Sequence, residues 1–442
     1  MSLKISLYFL RSLSVFSFIF LLSLSAFSQN CNCAVTIPLT QTLFDGAKTK
    51  VLPGQTICIA SGTRTFLTFR NILGDSLNPI IIKNCGGQAY FNSFNGYGIQ
   101  VASSRYFKIT GTGSADNYGI KINLNNQGSQ GLTLHTMSSN FELDHLEIYN
   151  TGFAGIMAKT DPNCNGIGNK GNFTMYDVKF HHNYIHHTGG EAFYVGFSFP
   201  AGYSKKAECK GTVLYPHDII GCKIYNNKTN YTSADGIQVT GVSSGFALYN
   251  NEILNYGQNP FGNFQNSGIA LGPVTKGPIY NNIINSGGGN GITVVSGSGD
   301  NLIYNNLIIN AGAIGIFVDE RPPIVYGAGY RIINNTIINS IDDGIRLYSD
   351  LVAMNHVKNN AILNPATGKY LVKLNKSVKV TEQNNYYKKL VESAKLNTST
   401  SGNYSLKFGS PLIDAGQNVS SYGITTDYAG MPRPVGSSYD IG

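Results

Sequence analysis

Seven of the eight histidines fall between residues 135 and 217, at positions 135, 145, 181, 182, 186, 187 and 217. Imidazoles titrate near neutrality, so such a cluster is where proton transfer is first sought. Glu191 follows directly in the phrase KFHHNYIHHTGGEAFYVG, and strand alternation should turn some of its histidines outward beside that carboxylate. A recurring phrase puts Ala154, Glu191, Asp235, Ser267, Asn290, Ile314 and Asp343 in the same place in successive units. Glu191 and Asp235 are then stacked neighbours about 5 Å apart, and repulsion between them should raise one pKa. That separation suits a retaining glycosidase, with one carboxyl as acid and the other as nucleophile. It equally suits a calcium ion (Ca²⁺) held by oxygens of both units and a loop carbonyl. In the structural alternative each carboxylate only accepts backbone N–H groups at a turn.

The catalytic candidates are Glu191, Asp235, His187 and His217. A histidine or tyrosine near an acidic sugar can take the C5 proton, the first step of both elimination and epimerisation. Lys170, Lys205 and Lys206, in flanking insertions, are placed to neutralise a substrate carboxylate; Tyr194 and His182 complete the substrate-binding set. The chain has no tryptophan, so sugar stacking falls to residues such as Tyr194, Phe197, Phe199 and Tyr203. Asp319-Glu320-Arg321 and Asp342-Asp343 form a second carboxylate set, suited to an ion or to surface pairing.

The elements that position these residues are legible from a repeat. Paired asparagines begin at 226, 250, 281, 305, 334, 359 and 384, in steps of 24, 31, 24, 29, 25 and 25 residues. Each copy reads apolar-Tyr-Asn-Asn-x-Ile, then a Gly-rich turn, then Gly-Ile-x-Val. Such a unit has two short β-branched strands and no helical apolar period, so it buries its apolar side chains only against the next copy. The predicted fold is all-β: a right-handed parallel β-helix of about 10–12 coils, with long loops on one side (about 158–175 and 197–216) and an irregular C-terminal cap. Stacked asparagines can bond along the axis as an amide ladder, so most of the pairs are structural.

Met1–Ser28 has a basic start (Lys4, Arg11), an apolar run and a small-x-small site at Ala26-Phe27-Ser28, and reads as a secretory signal. The expected division is 1–28 signal, 29–385 β-helix, 386–442 cap. A secreted or extracellular protein is implied, periplasmic or cell-surface locations included, with no membrane insertion after cleavage and a monomeric state. Net charge falls from +8 to +6 once Lys4 and Arg11 leave, and nine lysines between 358 and 407 face only Glu382 and Glu392. The rest of the surface is almost neutral. That excess would draw a polyanion such as an acidic polysaccharide or is simply a solvated surface on the last coils; it is not interleaved along a groove, which argues against nucleic acid, and the expected partner is a polysaccharide, acidic or neutral.

Seven cysteines in an exported chain point to disulfides. Cys58 and Cys85, about one coil apart, are expected to bridge; Cys164 and Cys209 should tie the two long loops together; Cys222 reads as an interior thiol.

The closing segment, Ser410–Gly416 followed by Gly430–Pro434 and Asp440–Gly442, resembles that of many secreted bacterial right-handed parallel β-helix repeat proteins, in the broad pectate-lyase-like superfamily. The repeats from Phe141 to Asn385 fit the same family. The resemblance implies fold and export; its members include lyases, hydrolases, epimerases and proteins without known activity. Tyr215-Pro216-His217-Asp218 also looks like the Asp-Pro-His-Asp motif of alginate C5-epimerases, with Tyr215 in place of the first Asp. Three functions are therefore weighed: a polysaccharide lyase or hydrolase, a non-catalytic carbohydrate-binding or adhesion protein, and a uronate C5-epimerase.

Overall fold

The computed structural model describes residues 31–442 apart from 95, 126–129, 205–206, 296–299, 320–328 and 399–403. The signal-like stretch lies outside these residues. All the paired strands run parallel, in one sheet of 23 strands and one of 12. A typical coil gives Thr174–His181 and Tyr184–Thr188 to the larger sheet and Phe193–Val195 to the smaller. The next coil repeats this with Asp218–Tyr225, Lys228–Thr232 and Ile237–Val239. Val178 lies opposite Cys222, and Phe193 opposite Ile237.

Inward positions therefore form columns. Ile156, Phe193, Ile237, Ile269, Ile292, Ile316 and Ile345 stack along one of them, all without exposure. Burying each such side chain contributes about 1.5–3 kcal/mol, so the coils cohere through a continuous apolar axis. Cys222 is buried in this interior as a free thiol, and burial pushes its pKa up.

The two asparagines of each pair do different work. The first turns the corner between the two strands of the larger sheet in the left-handed conformation, with φ near 54° at Asn226, Asn250, Asn281 and Asn334, which asparagine tolerates better than most residues. The second points inward and builds the amide ladder, Asn183–Asn227–Asn251–Asn282–Asn306–Asn335–Asn360–Asn385, with Nδ2–Oδ1 distances of 2.9–3.0 Å. The ladder starts one coil earlier than the Asn-Asn pairs do, because His182 occupies the corner before Asn183.

The cysteine expectation is corrected at the N-terminus. The bonds are Cys31–Cys85 and Cys33–Cys58. Sheet register explains this: Cys58 faces Lys83, and Cys85 faces Ala60, so Cys58 and Cys85 are two residues out of step. The strand Val35–Ile37 covers the first coil and brings Cys31 and Cys33 to these partners. Cys164–Cys209 joins the two long loops as expected.

After the last strand of the larger sheet, Tyr386–Lys388, the chain turns back along the outside of the coils. Leu412 and Ile441 pack on Leu307, Ile338 and Leu363, while Val419, Ile424 and Tyr439 pack on Ile333. Among the described residues, no helix is long and apolar enough to cross a membrane.

Candidate functional site

The outer face of the smaller sheet carries the residues between the inward ones. Thr133, Met157, Tyr194 and Gln238 stand side by side there. Both long loops leave from the ends of these strands. They are held together by the Cys164–Cys209 bond, a 2.9 Å hydrogen bond from the Lys170 amide to the Tyr215 carbonyl, and Asn169–Pro216 pairing, while Tyr203–Leu214 pairing closes the second loop on itself. The first of them walls a cavity of about 300 Å³ lined by Gln100, Thr133, His135, Met157, Lys159 and Asp161 among others.

His135 ends the strand Gln130–His135. Its Nδ1 lies 2.5 Å from Thr136 Oγ1, while its Nε2 is buried without a hydrogen-bond partner. Burial, reinforced by the positive charge of Arg70, lowers its pKa, so the ring is neutral near pH 7. Lys159 Nζ pairs with Asp161 and lies 5.7 Å from the ring centre of Tyr194 and 5.1 Å from that of Phe197. Tyr194 is fixed in turn: its hydroxyl is 2.7 Å from Ser198 Oγ, which accepts from Gln238 Nε2 at 3.0 Å. The groove thus holds a neutral imidazole and a positioned ammonium.

Glu191 lies three residues before Tyr194 and interacts with it electrostatically. It is 0 % exposed, and neither carboxyl oxygen has a hydrogen-bond partner. Desolvation pushes its pKa up to about 7. At the same place in later coils the turn is satisfied: Asp235 Oδ1 accepts from the Ser267 amide at 2.6 Å, and Asn290 Oδ1 from the Ile314 amide at 3.0 Å. Asp235 is nevertheless held well above the ordinary carboxylate range by burial, with the Glu191 charge adding to the effect. The two carboxyls are coupled and buried together.

The remaining candidates are spread over other faces. His187 turns the second corner of its coil with φ of 53°, stacks on Tyr231, and has its Nδ1 2.7 Å from that of His186. No hydrogen bond, ion pair or electrostatic coupling joins it to Glu191 among the described residues. His182 turns the first corner, stacked on His145, with its Nε2 3.3 Å from Asn226 Nδ2. His217 is buried with both nitrogens engaged: Nε2 accepts from the Thr160 amide and Nδ1 donates to the Asp218 carbonyl, each at 3.0 Å. It pins the first loop to the root of the second. Lys170 Nζ pairs with Asp218 at 2.9 Å, and Lys205 and Lys206 lie outside the described residues. Asp343 is buried in an ion pair with Arg346.

Sequence reasoning passed over Lys159 and Asp161. Their signal was their place, directly after the strand Ile156–Ala158 where the first insertion begins. It also passed over Glu142 and Asp144, whose ligating atoms lie within 4.8 Å of one another and of His181 on the larger sheet. Lys108 Nζ already sits 2.7 Å from both carboxylates there. Glu191 and Asp235 belong to no such group among the described residues.

Residues 203–362 match a family model described as right handed beta helix region. The chain is a right-handed parallel β-helix protein. Comparison with curated proteins gives no match. Among solved structures, this β-helix is similar to an alginate lyase from Paenibacillus sp. str. FPU-7, at 18 % identity and TM-score 0.46 over 69 % of this chain and 98 % of that one. It is also similar to the pectate lyase Pel9A (16 %, TM-score 0.46, over 90 % and 89 %). A third is the A-module of a mannuronan C-5 epimerase from Azotobacter vinelandii (12 %, TM-score 0.43, over 76 % and 91 %). At such identities the likeness is one of chain path and transfers no residue's role.

Proposed function

We propose that this β-helix acts on an acidic polysaccharide laid across the outer face of its smaller sheet, removing the proton next to the sugar carboxylate. The observation that carries the reading is the pairing, in one walled groove, of a neutral imidazole whose Nε2 is unpartnered with an ammonium held over two aromatic rings. A sugar carboxylate that takes the place of Asp161 against Lys159 has its developing enolate charge neutralised, and His135 Nε2, buried in the free protein, takes the C5 proton once the bound chain opens the cavity to it. In elimination the C4–O bond then breaks and the imidazolium returns the proton to the departing oxygen. In epimerisation solvent water on the other face reprotonates C5, and the imidazolium releases its proton to the solvent. Export of such a protein accords with its three disulfides.

One observation favours a second, hydrolytic reading: Glu191 is a carboxyl without a partner whose pKa is about 7, suited to a general acid. It is fully enclosed, however, and would serve only if the residues around it moved aside.

The test is to incubate the purified protein with alginate, polygalacturonate and neutral glucans, with and without calcium, following unsaturated uronate absorbance, new reducing ends and solvent-hydrogen exchange at C5. Elimination or exchange is expected on an acidic polymer, and His135→Ala should lower it about 10²–10⁴-fold. Lys159→Ala should raise KM as well as slow turnover. Activity within twofold of the parent in both variants, or reducing ends without unsaturation or exchange, would sink this reading. Binding with neither product nor exchange would leave a carbohydrate-binding protein.

A further inference from the structure

A larger cavity, of about 640 Å³, lies on a different part of the molecule, at the first corner of the coils. Its floor is the column of left-handed corner residues, His145, His182, Asn226 and Asn250. The same column continues as Asn281, Asn305, Asn334, Asn359 and Asn384, and there it already has an occupant. The C-terminal segment lies over it and offers backbone carbonyls to the corner amides: Asn305 Nδ2 donates to Thr426, Asn334 to Asp440, Asn359 to Gln417 and Asn384 to Ala415, all at 2.8–2.9 Å. The corner is therefore a rail of side-chain amides, one per coil, each able to donate to a carbonyl laid over it; Ala415 and Gln417 follow one another on adjacent coils, while Thr426 and Asp440 come from separate passes of the segment. The covering segment reaches Asn281 and Asn250 with Tyr428–Gly430, and the open cavity lies beyond.

The flank of the rail changes character where the cover stops. Register places Glu147, Tyr184, Lys228, Glu252, Ile283, Leu307, Thr336, Ala361 and Tyr386 in one column just after the corner. Beneath the C-terminal segment this column is apolar, and Leu307 and Ala361 are buried against Leu412 and Ile441. Along the open stretch it is Tyr184, Lys228 and Glu252, with Lys228 and Glu252 paired at 3.1 Å. Across the cavity stand Tyr118 and Asp116, the latter accepting from Ser114. A polypeptide like the native cover would find no apolar seat here. A polyanion would meet Asp116 and Glu252. A ligand rich in hydroxyls, which both donate and accept, fits amides, imidazoles and carboxylates alternating along a rail.

We propose that this uncovered stretch of the corner rail binds an uncharged oligosaccharide lying along the helix axis, one sugar per coil of about 4.8 Å. The site is separate from the groove of the smaller sheet and does not depend on the activity proposed there.

Calorimetric titration of the full protein with neutral β-linked hexasaccharides of glucose, mannose and N-acetylglucosamine tests it. A synthetic peptide spanning Ser410–Val419 and a hexagalacturonate serve as the competing ligands. At least one neutral hexasaccharide should bind, about three- to tenfold more weakly in Asn250→Gly, which keeps the left-handed corner but loses the amide. Glu252→Gln, an exposed change that spares the backbone, should weaken it likewise, while Lys159→Ala leaves it unchanged. Overturning results are no binding of any neutral hexasaccharide, binding lost in Lys159→Ala and kept in both corner variants, or corner-dependent binding of the peptide or the uronate alone.

Discussion

Glu191 is the residue at which environment and charge are most at odds. Its neighbours in the column, Asp235 and Asn290, accept the amide of the next coil, whereas Glu191, one methylene longer than Asp235, accepts nothing and is closed off from water. The folded protein therefore prefers it protonated. A carboxyl whose folded pKa is raised from 4.5 to about 7 stabilises the fold fully only below its unfolded pKa. That stability is lost as pH rises through the folded pKa, because the unfolded chain releases its proton first. The shift corresponds to about 3 kcal/mol between pH ~4 and pH ~8. Glu191→Gln is expected to shrink the fall in unfolding free energy across that window by about this amount, read from urea titrations at both pH values. An unchanged fall would mean that Asp235, or another group, carries the proton. The sequence showed that Glu191 and Asp235 stack. It did not show that one is satisfied and the other not, because that depends on a single methylene at a fixed corner.

Strand and corner follow tight steric rules, and departures from them come in compensating pairs. The residue before each inward isoleucine of the smaller sheet is glycine at 155, 236, 268, 291, 315 and 344. A Cβ there would lie 2.3–2.6 Å from the Cγ2 of an isoleucine in the following coil, Ile185 for Gly155 and Ile253 for Gly236. Ala192 breaks the rule, and register shows why it fits: the residue between Ile185 and Ile253 in that facing column is Thr229. Restoring the bulk with Thr229→Ile should destabilise the protein by about 1–3 kcal/mol through overpacking. Adding Ala192→Gly should recover most of that loss, giving a coupling that a double-mutant cycle in denaturant would measure. Additive effects would show that the two sites do not meet. Element-scale order of this kind was largely legible: the paired asparagines gave the repeat, its period and the ladder. The histidine pairs were harder to read, since His181-His182 end a strand and turn the first corner and His187 turns the second, a role that asparagine signals elsewhere. Lys159 went unread because its signal was its place alone, directly after the strand Ile156–Ala158, and a lysine at the start of an insertion is an ordinary surface residue.

At the scale of the whole molecule, a solenoid must protect its flanks as well as its ends. Here the last 40 or so residues cover one flank, and the corner rail holds them by side-chain amides over two apolar clusters. If the amides contribute as argued, replacing Asn305, Asn334 and Asn359 together by glycine keeps the left-handed corners but removes about 0.5–1.5 kcal/mol per bond. The inner ladder, built by Asn306, Asn335 and Asn360, is left intact. The expected result is selective: protease should cut between 404 and 442 at least tenfold faster, while the circular dichroism of the sheets and their unfolding midpoint change little. Cleavage at the parent rate would mean that apolar packing alone holds the segment, and the corner amides would then be no rail for any chain. Loss of the whole fold would instead make this segment part of the core. The same measurement thus bears on the open cavity, because a rail that does not grip its native occupant has no claim to grip a sugar.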